Sequence, residues 1–90
     1  MSALVNKIKS GALVVDVRTK DEYEEEHYPD AINIPVDQVQ RRIAEFGEKS
    51  NVVIVYCASG ARSAFAAKLL RGVGYAEVIN AGGLNDMPGY

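Results

Sequence analysis

Two short apolar runs constrain the fold of this chain more than any other feature. Residues 12–17 read Ala-Leu-Val-Val-Asp-Val, and residues 52–56 read Val-Val-Ile-Val-Tyr. Both have the length of a strand, and neither alternates apolar with polar residues as a strand with one face in water does. They are therefore predicted to be strands buried on both faces, as the inner strands of a parallel sheet are.

Helical patterns lie between and around these runs. Thr19 and Glu22 have the spacing of a capping box, which predicts a short acidic helix over residues 20–26. Apolar residues at helical spacing predict three more helices. These are residues 2–10, with Ser2 as the cap and Gly11 at the end; residues 36–46; and residues 62–73, with Phe65, Leu69, Leu70 and Val73 on one face. Short strands are predicted at residues 31–34 and 77–80, and a loop at residues 81–90.

The alternation of strands with helices predicts the fold class. Because it is typical of βαβ units, we expect an α/β protein with a small parallel β-sheet of 4–5 strands flanked by helices on both faces. A chain of 90 residues can bury one modest core, which predicts a single domain over residues 1–90.

Composition excludes several classes of protein. The 10 Lys and Arg against 12 Asp and Glu give a net charge of −2, without the basic excess of a nucleic-acid-binding protein. A single cysteine excludes an internal disulfide framework and a Cys-rich zinc site, and an unpaired thiol fits a reducing compartment. No apolar run approaches the ~20 residues that cross a bilayer, and no signal-peptide pattern is present. We expect a cytoplasmic monomer without metal, cofactor, nucleic-acid or membrane partner.

Cys57 carries the strongest chemical signal. It follows the second apolar run, and open α/β sheets place their sites at the carboxyl ends of strands. The small residues after it allow a tight turn whose N–H groups, backed by the dipole of the next helix, can hold an anion. We predict that Cys57 is a nucleophile activated as a thiolate, and a buried, unreactive core cysteine is the alternative. The predicted active loop consists of Ala58, Ser59, Gly60, Ala61, Arg62 and Ser63.

The spacing between Cys57 and Arg62 separates two kinds of cysteine enzyme. Cysteine phosphatases place five residues between their cysteine and arginine, whereas only four lie between Cys57 and Arg62. Because the loop is one residue shorter, its cradle fits a single extra sulfur atom better than a phosphoryl group. Ser63 stands where a phosphatase would need the arginine, and it cannot supply that charge.

Four segments of the sequence form a recognisable series when they are taken together with the four-residue gap. They are residues 13–18, which contain Asp-Val-Arg; residues 22–35, which end in Ala-Ile-Asn-Ile-Pro; residues 53–63, the strand and loop that contain Cys57; and residues 81–84, which contain a glycine pair. In this order they resemble the segments of the rhodanese-like domains, specifically the stand-alone, single-domain thiosulfate sulfurtransferases, in which residues 22–35 are similar to a GHIPGAINIP stretch. Glu26 and Asp30 stand where that family usually has glycine, and Met87 stands where it usually has tryptophan.

The resemblance implies a reaction and a role for each site residue. Cys57 would take a sulfane sulfur from thiosulfate or a similar donor, become a persulfide, and pass the sulfur to cyanide or a thiol. Backbone N–H groups of residues 58–62 would hold the outer sulfur, and Arg62 would organise the loop and attract the anionic donor. Asp16 and Arg18 would support the site as structural neighbours.

Two other functions stay open at this point. The first is a persulfide relay or sulfur-carrier module that serves protein partners, and the second is a phosphatase or arsenate reductase on the same scaffold, which the short loop disfavours. His27, the only histidine, is expected to be structural rather than a catalytic base or metal ligand. The acidic run at residues 21–26 is expected to be a solvated helix face.

Overall fold

The central feature of the fold is a four-stranded parallel sheet with the strand order β2-β1-β3-β4. The computed structural model describes residues 3–90, so the predicted cap at Ser2 lies outside the described residues. The α/β class and the parallel sheet confirm the predicted fold. In chain order the elements are α1 (Ala3–Lys9), β1 (Leu13–Asp16), α2 (Lys20–Glu25), β2 (Ile32–Asn33), β3 (Val52–Cys57), α3 (Ala61–Gly72) and β4 (Glu77–Gly83), with 3₁₀ turns at Val36–Gln38, Ile43–Phe46 and Leu84–Asp86.

The two apolar runs form the two inner strands, β1 and β3. Their residues pair from Leu13 opposite Val53 to Asp16 opposite Tyr56. Residues 53–57 are fully buried, because helices and turns cover both faces of the sheet at this strand. Burial of this kind contributes about 1.5–3 kcal/mol for each large apolar side chain, so these strands contribute substantially to the stability of the fold.

Side chains on the two faces of the sheet form two separate cores. The first core lies under α3 and the first two 3₁₀ turns, and the second lies under α1 and the C-terminal 3₁₀ turn. The first includes Val15, Val17, Ile34, Val39, Phe46, Val53, Val55, Ala66, Leu70 and Tyr75, and the second includes Val14, Ala31, Ile54, Tyr56, Leu84 and Met87.

The amphipathic helix predicted over residues 36–46 is not a continuous helix. The segment forms two 3₁₀ turns whose backbone hydrogen bonds mostly join residues three apart, and Arg42, between them, has the non-helical dihedrals φ −110° and ψ 26°. The tighter turns bury the same apolar side chains, so the periodicity identified the core residues but not the type of element. Those residues are Val36, Val39, Ile43 and Phe46.

The buried face of α3 also differs from the predicted one. Phe65 is 61% exposed and Val73 is 39% exposed, although their apolar spacing predicts both in the core. Smaller side chains at helical spacing face the sheet instead, and these allow a close approach of the helix to β3. The buried residues are Ser63, Ala66, Ala67 and Leu70.

β4 continues three residues beyond its predicted end. Residues 81–83, predicted as loop, extend the strand to Gly83. The register shifts between Val55 and Cys57, and Gly83 comes to lie opposite Cys57. This irregular pairing brings the end of β4 beside the cysteine. Within residues 3–90 no helix combines the length and apolar character that a membrane span requires.

Candidate active site

The candidate site lies at the carboxyl edge of the sheet. Cys57 is the last residue of β3, and residues 58–60 connect it directly to α3. Asp16 ends the neighbouring strand β1, and Arg18 follows it two residues later. All the predicted site residues therefore lie at the edge where open α/β sheets bind their ligands.

The Cys57 sulfur lies inside the turn that follows it. The side chain is fully buried, and its Sγ accepts a hydrogen bond from the Gly60 N–H at 3.0 Å. Gly60 is the N-cap of α3 and has φ +104°, a conformation that glycine adopts without strain. Because a glycine cap offers no side chain to the first N–H groups of the helix, the sulfur can serve as their acceptor.

Two opposing effects set the pKa of the Cys57 thiol. Burial raises the pKa, because it removes the thiolate from water. Hydrogen bonds to the sulfur lower the pKa by more than this; they come from the hydroxyl and N–H of Ser63 and from the N–H groups of Gly60 and Ser59. The resulting pKa is about 7, so the thiolate is well populated at neutral pH without a separate base.

Arg62 is held by a carboxylate from another helix. Its Nη1 and Nη2 donate to Oε1 and Oε2 of Glu22 at 2.7 and 3.1 Å. The Arg62 hydrogen bond holds the pKa of Glu22 at about 2, and the Thr19 N–H and hydroxyl add to the effect, since Glu22 and Thr19 form the predicted capping box. The expectation that the whole acidic run is a solvated face is wrong at Glu22, because this residue ties α2 to the start of α3.

Asp16 and Arg18 form a buried ion pair at the end of β1. The Asp16 carboxylate accepts hydrogen bonds from Nε, Nη2 and the N–H of Arg18 at 2.7 to 3.1 Å. This partner raises the pKa of Arg18, whose Nη2 also donates to the Glu26 carbonyl at 2.6 Å. The guanidinium carbon lies 5.7 Å from the centre of the Tyr56 ring. These contacts fix the strand end beside the site and support the structural role expected of the pair.

Asn80, on β4, is a site residue that sequence reasoning missed. Its Oδ1 lies 2.6 Å from Ser63 Oγ, and its Nδ2 donates to the Gly60 carbonyl at 3.1 Å. The same Oδ1 accepts the Gly82 N–H at 2.9 Å. Asn80 therefore connects the active loop to the end of β4. In the sequence, only the position of Asn80 one residue before the Ala-Gly-Gly segment distinguishes it, and that position does not indicate its hydrogen-bond partners.

The glycine pair packs against the active loop. A Cβ on Gly83 would lie 2.3 Å from the Ala58 carbonyl oxygen, a distance that no side chain tolerates. Gly82 has φ +95°, which favours glycine for backbone reasons. The loop after Cys57 can take its observed position only because this part of β4 lacks side chains.

An apolar groove of about 410 Å³ borders the active loop. It is lined by Val36, Asp37, Ala61, Arg62 and Phe65, and so shares two residues with the loop. The exposed ring of Phe65 explains part of its apolar character. The groove offers contact area to something larger than a small inorganic anion.

His27 makes structural contacts with Tyr23. Its ring stacks on Tyr23, with centroids 3.8 Å apart and planes 9° from parallel, and its Nδ1 lies 2.7 Å from the Tyr23 carbonyl oxygen. These contacts explain the histidine without a catalytic role. In the part of the chain that the structure describes, His, Cys, Asp and Glu side chains do not gather in any group of three that could hold a metal ion.

Comparison with known proteins identifies the family. The sequence profile of the rhodanese-like domain matches residues 1–87. This chain belongs to the rhodanese-like domain family. The family resemblance inferred from the motifs is thereby confirmed.

Individual rhodanese-like relatives agree with this assignment. The chain is 45% identical over 74 residues to thiosulfate sulfurtransferase PspE of Escherichia coli K12, a match that covers 81% of this chain and 71% of that protein. It is 38% identical over 77 residues to the putative sulfur carrier protein YrkF of Bacillus subtilis 168, covering 84% of this chain and 41% of that protein. The solved structure of a rhodanese with anions from E. coli superimposes with a TM-score of 0.82 at 42% identity, covering 87% and 93% of the two chains.

Proposed function

We propose that this rhodanese-like domain is a thiosulfate sulfurtransferase that carries sulfur as a persulfide of Cys57. The observation that carries the proposal is a buried sulfur held by the N–H groups of a helix start, with a pKa of about 7. The name of the relative PspE supports thiosulfate as the donor. The catalytic unit is a single rhodanese-like domain over residues 1–90 that acts as a monomer without a cofactor.

The first half-reaction loads the cysteine. The Cys57 thiolate attacks the outer sulfur of thiosulfate, and a new S–S bond forms while the S–S bond of thiosulfate breaks. The electron pair of the broken bond leaves with sulfite. A singly charged thiolate and a doubly charged thiosulfate give a singly charged persulfide and a doubly charged sulfite, so no proton or external oxidant is consumed. Because the thiolate is already populated, no general base is required.

The second half-reaction returns the enzyme to its starting state. Cyanide attacks the outer sulfur of the persulfide and leaves as thiocyanate, while the electron pair of the S–S bond returns to Cys57. A thiolate acceptor would take the same sulfur and become a persulfide itself. Both routes release the Cys57 thiolate into the same turn, ready for another donor.

The loop stabilises the charge that moves during these steps. In the persulfide the negative charge rests on the outer sulfur, and the N–H groups of residues 58–62 are its expected donors, because the first N–H groups of α3 have no acceptor within the helix. Arg62 adds a positive charge that interacts with Cys57, but its guanidinium is bound to Glu22. We therefore assign Arg62 mainly to holding the loop and only secondarily to attracting the donor.

A persulfide relay is the second candidate, and the apolar groove beside the loop favours it. Thiosulfate has no apolar part that could use Phe65, whereas a protein or organic thiol acceptor could. The relative named as a putative sulfur carrier supports the same idea. If Phe65→Ser lowers kcat/KM for thiol acceptors and leaves thiocyanate formation unchanged, the relay is supported; equal effects on both acceptors would argue against it.

Thiocyanate formation from thiosulfate and cyanide tests the proposed activity. The wild-type protein should turn over, and Cys57→Ser should lose the activity while its circular dichroism spectrum stays that of the folded protein. An aryl phosphate and arsenate serve as control substrates, and neither should be turned over, because the loop has only four residues between Cys57 and Arg62. A folded Cys57→Ser variant that still forms thiocyanate would refute the assignment. The cytoplasmic location stays a prediction from the unpaired thiol, and cell fractionation tests it.

A further inference from the structure

The side-chain amide of Asn80 has a defined orientation. The Gly82 N–H can only donate, so the amide atom 2.9 Å from it is the oxygen. The Gly60 carbonyl can only accept, so the amide atom 3.1 Å from it is the nitrogen. Asn80 therefore presents an acceptor, Oδ1, to the Ser63 hydroxyl at 2.6 Å.

Ser63 has one hydroxyl proton and four acceptors within reach. These are Asn80 Oδ1 at 2.6 Å, the Gly60 carbonyl at 3.1 Å, Cys57 Sγ at 3.4 Å and the Gly82 carbonyl at 3.5 Å. A carbonyl oxygen has two lone pairs, and Gly60 already accepts the Ala64 N–H at 2.9 Å and the Asn80 amide. The Gly82 contact is the longest. The proton is therefore shared mainly between Asn80 and the cysteine sulfur.

This competition gives the network two complete arrangements. When Cys57 is a thiol, its S–H can donate to Ser63 Oγ and the Ser63 hydroxyl donates to Asn80. When Cys57 is a thiolate, the Ser63 hydroxyl can turn to the sulfur, while Asn80 Oδ1 keeps the Gly82 N–H and, being on an exposed residue, takes a water molecule. Neither arrangement leaves a buried polar group unpaired.

We propose that Asn80 is a positioning residue of the sulfur-transfer site, which holds the Ser63 proton while Cys57 is a thiol and releases it to the sulfur when Cys57 ionises. The role of Asn80 in catalysis rests on the proposed function. The competition between Asn80 and Cys57 for the Ser63 proton takes place in the resting protein and can be measured without a sulfur donor.

The charged side chains near Cys57 are all paired with groups other than Asn80, so substitutions of Asn80 should leave their charges unchanged. They lie on α2, α3, the end of β1 and the C-terminal 3₁₀ turn, and each is engaged by a partner of its own. These groups are Arg62 with Glu22, Asp16 with Arg18, and Asp86, whose Oδ2 accepts the Gly83 N–H at 2.8 Å.

The rate of iodoacetamide alkylation of Cys57, measured against pH, tests the proposal. Asn80→Ala removes the competing acceptor, so the midpoint of alkylation should fall by about half a pH unit. Asn80→Asp offers a charged acceptor that binds the Ser63 proton more strongly and repels a thiolate. Its midpoint should rise by about one unit, which means about tenfold less thiolate below the midpoint.

The downward shift in Asn80→Ala is the diagnostic result, because an added carboxylate raises the midpoint in Asn80→Asp by repulsion whatever holds the Ser63 proton, and losing a merely structural tie to the loop would not stabilise the thiolate. If both variants shift it upward, or neither shifts it, the proposal is overturned. Ser63→Ala supplies the matched background, in which adding Asn80→Ala should not lower the midpoint. Opposite shifts in a protein that forms no thiocyanate would retain the positioning role and reject only the proposed function.

Discussion

Replacing Gly83 by alanine is expected to displace the active loop. The added Cβ would lie 2.3 Å from the Ala58 carbonyl oxygen, whereas an ordinary contact begins at 3.4 Å, so the two backbones must separate by about 1 Å. Gly83 has extended dihedrals, φ −96° and ψ 169°, so alanine adds no backbone strain and the effect is steric. Overpacking of this kind costs about 1–3 kcal/mol, and a misplacement of about 1 Å at a reacting group costs about 10²-fold in rate.

Thermal unfolding and thiocyanate formation measure the two consequences. Gly72→Ala is the matched control, because a Cβ at Gly72 meets nothing within 4 Å and the residue ends α3. The control should keep its activity and gain about 0.5–1 kcal/mol from better helix propensity. Gly83→Ala should lose both stability and activity. If Gly83→Ala behaves like Gly72→Ala, the close packing of β4 on the loop does not position Cys57.

Two further predictions follow from the electrostatics of the site. The pKa of Glu22 is lowered from 4.5 to about 2 in the folded protein, so its stabilising effect is fully present above pH 4.5 and is lost as the pH falls toward 2. Glu22→Gln, which can still accept the Thr19 N–H, should flatten that part of the curve of unfolding free energy against pH. An unchanged curve would show that the Glu22–Arg62 pair does not stabilise the fold. Ser63→Ala removes the hydroxyl that lowers the pKa of Cys57, so the pH midpoint for thiosulfate turnover should rise by about one unit above that of the wild-type protein, with full recovery of rate at alkaline pH. A midpoint equal to that of the wild-type protein would show that the backbone donors suffice.

Local signals in the sequence predicted most of the fold. The capping box at Thr19, the two inner strands and the turn after Cys57 each depend on residues within a few positions of one another, and each is present in the structure. The prediction of the buried face of α3 was wrong because the helix has more than one apolar stripe, and the stripe with small side chains is the one that packs on the sheet. The prediction of a helix over residues 36–46 was wrong because two 3₁₀ turns bury the same apolar residues that a helix would bury.

Long-range partners could not be predicted in the same way. Glu22 and Arg62 are 40 residues apart, and Ser63 and Asn80 are 17 apart, so no spacing rule connects them. Their pairing depends on the order of the strands and on the register shift at the end of β4, which only the folded sheet defines. The sequence predicts Cys57 as the reactive group, and the structure adds Glu22 and Asn80 as residues that hold its loop.

The intact mass of the protein after incubation with thiosulfate shows whether Cys57 carries sulfur as a persulfide. We expect a gain of one sulfur atom, located on Cys57 by peptide mapping, and its loss when cyanide is added. Cys57→Ser should gain no mass under the same conditions. Thiosulfate turnover by the wild-type protein without any sulfur adduct on Cys57 would contradict the persulfide mechanism.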